Sequence, residues 1–237
     1  SRRGFGTSEG GGSMNSAIVP RLVAKDWYLL RWAIFGYVAG GLISILLLAT
    51  GGEAVFSAGC ILIITVLIAL GMHVVMATVV GERIEHTLPF VMSLPVSIAQ
   101  YTLAKIVANY SIFLGSWLVI AFGVSGVVLF RAGVPHGLIV LTTITLLYLL
   151  TSYTVVLAVA IITESMGWTI GVVVVGNILL NFLMYALAHI PSIQSTYAST
   201  QVVWSNLAVE IVLGECVVIL VAIALTFVVQ ARKSDFL

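Results

Sequence analysis

Long uncharged apolar runs separated by short polar breaks dominate the chain. Between Arg31 and Glu53 lie 21 residues without Asp, Glu, Lys or Arg. A helix of that length rises roughly 31 Å, enough for a hydrocarbon core of ~30 Å. Ala54–Gly81 is a second run and Ile106–Phe130 a third. Ala132–Thr163 is a fourth, opening on a turn marked by Gly133, Pro135 and Gly137. Ser165–Val209 is too long for one span. It divides at His189-Ile190-Pro191 into a fifth helix over about 167–188 and a polar segment over about 189–206. A sixth span over about 207–230 carries Glu210 and Glu215. The pattern predicts an all-α integral membrane protein with six transmembrane helices.

Residues 18–32 interleave Ile18, Leu22, Leu29 and Trp32 with Arg21, Lys25, Asp26 and Arg31. This spacing predicts an amphipathic helix lying in the cytoplasmic interface ahead of the first span. A plain basic flank is the alternative. Trp27, Tyr28, Trp32, Trp168 and Trp204 fall near span ends, where amphipathic rings anchor at the headgroups.

Composition agrees. Of 237 residues 61% are hydrophobic and 8% charged, against about 25% charged in a soluble domain. Mean hydropathy is +1.19. The formal net charge of +1 gives no footprint for nucleic acid. Cys60 and Cys216 stand in apolar runs without CxxC spacing, so neither a disulfide framework nor a metal site is expected. Residues 1–13 are polar and glycine-rich, unlike the rest, and read as a tag or linker remnant ahead of Met14. No cleavable signal peptide is expected after Met14. Residues 14–237 then form one six-helix domain.

Six spans place both ends on one side. Arg21, Lys25, Arg31, Arg83, Lys105, Arg232 and Lys233 fall on one face, against Arg131 alone on the other. The basic face is read as cytoplasmic, with both termini inside a cell membrane.

The break after the second run is the densest in chemistry. It reads Gly81-Glu82-Arg83-Ile84-Glu85-His86-Thr87-Leu88-Pro89-Phe90-Val91-Met92-Ser93-Leu94-Pro95-Val96-Ser97. Charges gather at the membrane edge, a short apolar piece Phe90–Leu94 follows, and Pro95 ends it. Ser97-Ile98-Ala99-Gln100 fits a capping box that starts the third span. Such a loop suits docking into a groove on a soluble partner, or is an ordinary structured loop.

This stretch, through Lys105, resembles the first cytoplasmic loop of ABC-2 type transporter permeases. Glu82-Arg83, Thr87-Leu88, Ser93-Leu94-Pro95-Val96-Ser97 and Lys105 match that pattern, while Pro89 departs from it where the family more often has a helix former. The basic tail Ala231-Arg232-Lys233-Ser234-Asp235 and the six-span topology are similar too. The resemblance implies a bacterial exporter's membrane subunit that pairs with a second permease copy, identical or related. Each copy would rest on a cytosolic ABC ATPase. Glu82, Arg83, Glu85, His86, Thr87, Leu88, Phe90 and Leu94 would form the coupling helix. The polar segment 189–206 would form a re-entrant outer cap. The chain would be no enzyme and bind no cofactor, ATP and Mg belonging to the partner. In keeping with that, it has no G-x-x-x-x-G-K-[ST] phosphate loop, and its lysines, Lys25, Lys105 and Lys233, lack the glycines.

Within the spans, Glu215 is a candidate path or gate residue, since an intramembrane carboxyl usually faces a cavity or partner. Asn177 and Asn181, one turn apart, could line the path or bond between helices. Gly36-x-x-x-Gly40 and Gly167-x-x-x-Gly171 permit close helix approach. The resembled family joins its first and fifth spans across the dimer, which would give these glycines dimer packing.

Two other classes remain open. Gly123-Val124-Ser125-Gly126 matches the rhomboid protease G-x-S-G, but the sixth span has no histidine to activate the serine. A non-catalytic membrane scaffold or immunity protein is the other. Binding of an ATPase through 82–97 discriminates the exporter from both. Its substrate would be amphipathic: a lipid, a peptide or drug, or a lipid-linked glycan.

Overall fold

The structure, a computed structural model, describes residues 18–81, 98–197 and 199–232. Helix α1 is Ile18–Thr50 and α2 is Glu53–Val75, continued by a π-helical turn Met76–Val80. Then come α3 (Ile98–Phe130), α4 (Leu138–Thr163), α5 (Met166–His189), the short α6 (Pro191–Tyr197) and α7 (Asn206–Arg232). No strand occurs among the described residues. The six long helices are each long and apolar enough to cross a bilayer, consistent with a multi-pass membrane protein. The expected linker 1–13 and the loop 82–97 lie outside the described residues.

Four of the six spans match their expected limits within a few residues; α3 begins at Ile98, where the capping-box reading starts it, eight residues before its apolar run, and α1 differs more. The interfacial helix expected over 18–32 and the span after it are one continuous helix. Pro20 falls in its first turn, where an amide N–H has no intrahelical acceptor anyway, so it does not break the helix. Nothing from Arg21 to Phe35 interrupts it. At 33 residues α1 rises about 50 Å, so its first third extends beyond a core of ~30 Å.

Lys105 is a second correction. Read from sequence as a basic residue of the loop, it lies inside α3 and is 3% exposed.

Helix α4 is the centre of the bundle, contacting α2, α3, α5, α6 and α7. Helix α1 packs on α2 and α3 on one side, and α7 packs on α4 on the other. Close approach of α1 and α3 depends on Gly41 and Gly123. A Cβ on Gly41 would stand 2.7 Å from Ile120 Cδ1, and one on Gly123 would overlap Ile45. Gly71 is used in the same way against the ring of Tyr153.

The turns are short. Gly51-Gly52 alone joins α1 to α2. The Arg131 guanidinium donates to the carbonyls of Leu48 and Gly51, closing the C-terminal end of α1. Helix α4 ends at Glu164, in left-handed backbone at φ 53°, and α5 starts after Ser165. Between α5 and α7, among the described residues, the one helix is α6. It folds back on the start of α4, with Ile193 fully buried and the Gly137 amide donating to the Ser199 carbonyl.

Candidate functional site

Among the described residues, buried polar groups concentrate where α2 ends against the second and third turns of α3, on the side of the chain termini. Lys105 Nζ lies 3.0 Å from Asp26 Oδ2, and their side chains are 4% and 2% exposed. Lys25, itself half-exposed, approaches the other Asp26 oxygen at 3.7 Å. Desolvating two charges costs several kcal/mol per ion, so the pair persists by mutual attraction and good geometry.

One turn along α3, Asn109 is fully buried. Its amide donates to Thr78 Oγ1 and to the Lys105 carbonyl, both at 2.9 Å. The Thr78 hydroxyl has one proton, and the Val74 carbonyl at 2.7 Å accepts it. Thr78 sits in the π-helical turn, which adds a residue to that turn of α2. Such turns often mark functional sites.

Tyr153 of α4 completes the cluster. Its hydroxyl donates to the Asn109 carbonyl at 3.0 Å, and its ring stacks on Phe113 with centroids 3.8 Å apart. Beside it the Tyr110 hydroxyl donates to Thr154 at 2.6 Å, and Trp27 Nε1 donates to Ser111 at 2.9 Å. Side chains of α1, α2, α3 and α4 are thus tied together beside the end of α2, at a level two to three turns into α3. The arrangement holds no nucleophile with a base. Its bonds fix the relative position of four helices, at the end of α2, in the first half of α1 and α3 and in the interior of α4.

Sequence reasoning missed this cluster. It counts Asp26 among the polar residues of an interfacial helix, yet Asp26 is in phase with Leu30, Tyr37, Gly41, Ser44 and Leu48, the stripe that α1 turns to its neighbours. That phase was a readable signal, hidden by dividing α1 in two. The π turn, and with it the Thr78–Asn109 contact, has no sequence signature here.

The expected site residues are dispersed. Glu82, Arg83, Glu85, His86, Thr87, Leu88, Phe90 and Leu94 lie outside the described residues. Glu215 is buried at 8% exposure, in the stripe Ala208, Glu215, Ala222, Thr226, Gln230 that α7 turns inward. Neither of its carboxyl oxygens has a hydrogen-bond partner among the described residues. Asn177 lines a narrow cleft between α2, α4 and α5, and Glu215 is not among the residues lining it. Both asparagines donate to carbonyls four residues back in their own helix, and Asn181 is exposed. Tyr148 stands between the two regions: its hydroxyl donates to the Gly176 carbonyl at 2.7 Å, next to Asn177.

Of the glycines read for dimer packing, Gly36, Gly167 and Gly171 are exposed, and a Cβ on Gly36 or Gly171 would meet nothing within 4 Å. Gly40 instead faces Val66 of α2. Gly123, read as part of a protease motif, serves the α1–α3 contact. His73 stands edge-on to Tyr37 with ring centroids 5.8 Å apart, and His189 bonds the Tyr185 carbonyl.

No family model matches the chain, and neither a curated protein nor a solved structure is significantly similar to it. What stands is that the described residues are all-α, with six helices of membrane-spanning length.

Proposed function

We propose that the chain is the membrane-spanning permease subunit of an ATP-driven ABC exporter. Two copies pair in a cell membrane with both termini cytoplasmic. Each rests on a cytosolic ATPase, which binds ATP and Mg, through 82–97. Closure of the ATPases moves that loop, and a path between the copies opens outward for an amphipathic substrate. The resemblance of residues 81–105 to the ABC-2 loop and the six-helix architecture support this reading.

One observation carries it furthest. The buried cluster of Asp26, Thr78, Lys105, Asn109 and Tyr153 joins four helices beside the point where the chain enters 82–97. A loop that delivers force needs such an anchorage. A loop that only connects two helices does not require a desolvated ion pair beside it.

The test is purification from the chain's own host in mild detergent, identification of what co-purifies, and a MgATP hydrolysis assay. Glu82→Ala and Arg83→Ala are compared with wild type. An ABC ATPase that co-purifies, and is released or uncoupled by either change, supports the permease. A chain that purifies with no nucleotide-binding partner overturns it.

A further inference from the structure

A cavity of about 180 Å³ lies between α1, α2, α3, α4 and α5, on the side of the bundle away from the ion pair. Phe56, Ile63, Val127, Leu141 and Met184 are among its walls. Polar groups there are few. The Thr145 hydroxyl already donates to the Leu141 carbonyl at 2.9 Å. Apolar cavities on the order of 150 Å³ stay dry and take up apolar guests. A void without partner atoms forfeits dispersion energy, so an apolar occupant is favoured over emptiness.

The shape of the space says which occupant. Along α4 the cavity runs from Leu138 to Leu149. Eleven residue steps at ~1.5 Å give about 16 Å, half of a ~30 Å hydrocarbon core and so the depth of one leaflet. Phe56, Cys60, Ile64 and Leu141 are only half-buried, so the space opens between the helices. At its outer end stands Arg131, half-exposed, with its guanidinium carbon 5.6 Å from the centroid of the Phe56 ring. Two of its five N–H donors go to the Leu48 and Gly51 carbonyls, which leaves three.

We infer that this cavity is a phospholipid site, in which a segment of one acyl chain of the leaflet on the Arg131 side fills the space, the rest of the chain leaving between the helices, and the lipid phosphate is held by Arg131. An apolar slot one leaflet deep with a cation at its mouth complements an anionic lipid in both charge and length. The site belongs to a single chain, so it does not depend on the exporter reading.

The test uses the full chain, purified without any partner and supplied with phosphatidylglycerol. Native mass spectrometry should show one retained phospholipid per chain. Cys60→Phe and Thr142→Phe fill the cavity from two helices, and each should lower occupancy about tenfold or more. Arg131→Gln should lower it, and Arg131→Lys should restore it. Equal occupancy in wild type and both filled variants overturns the site. A second measurement needs no bulky substitution. In a Cys216→Ser chain, maleimide labelling of Cys60 should slow about tenfold with phosphatidylglycerol and stay unchanged with inorganic phosphate alone. Labelling unaffected by phosphatidylglycerol, or slowed equally by free phosphate, overturns it.

Discussion

The Lys105 ammonium and the Asp26 carboxylate meet at 3.0 Å although they are 79 residues apart in sequence, and solvent reaches almost nothing of either. This contact locks the register of α1 against α3. Removing one partner leaves the other buried without its main counter-charge. Asp26→Asn or Lys105→Met should each cost about 3–5 kcal/mol of stability. The double variant Asp26→Leu/Lys105→Met should recover most of that loss, because a hydrophobic pair of similar volume is often neutral or stabilising. A double-mutant cycle on unfolding in detergent measures the coupling directly. Additive single effects would mean that the pair is not coupled.

Tyr153 separates hydrogen bonding from packing within the same cluster. Tyr153→Phe keeps the stacking on Phe113 and removes only the bond to the Asn109 carbonyl. It should cost about 0.5–1.5 kcal/mol. Tyr153→Ala also empties a buried site and should cost about 3–5 kcal/mol. Similar losses in the two variants, read from thermal unfolding, would mean that the hydroxyl and not the ring carries the contribution.

The six spans could be read because membrane insertion imposes a long, charge-free signature, and four of them begin and end near the expected residues. What packs against what could not be read the same way. In an almost wholly apolar chain, inward and outward faces differ little in composition, since lipid and core make the same demand. Asp26 therefore reads as one polar residue among several of an interfacial helix, whereas it is buried and paired with Lys105. Gly41 and Gly123, which do permit close approach, have no special spacing. Thr78 depends on a backbone irregularity that no periodicity announces.

The contrast between Gly36 and Gly41 gives a clean test of the glycine pattern. Gly41→Val should clash with Ile120 and cost about 1–3 kcal/mol. Ile120→Ala in the same chain should relieve part of that strain. Gly36→Val enters open space and should leave the isolated chain's unfolding unchanged. If Gly36 packs against a second copy, the same change lowers the dimer fraction in cross-linking or light scattering. No change in either readout would remove Gly36 from dimer packing.

Glu215 tests whether stability and function oppose each other. Its neighbours in the inward stripe of α7 include Ala208, Ala222 and Thr226, and its carboxyl oxygens have no bonding partner among the described residues. An acidic side chain near the middle of a spanning helix costs about 2.5–3.5 kcal/mol on insertion scales. A purely structural position would carry an apolar residue, so Glu215→Leu should stabilise the isolated chain by about 1–3 kcal/mol. Glu215→Gln keeps a polar group in the same place and should change stability little. If the chain works as the proposed exporter subunit, Glu215→Leu should abolish transport while the chain becomes harder to unfold, as expected where a site is held at the expense of stability. Loss of stability in Glu215→Leu would instead show that the carboxyl supports the bundle, and its assignment to the translocation path would fall.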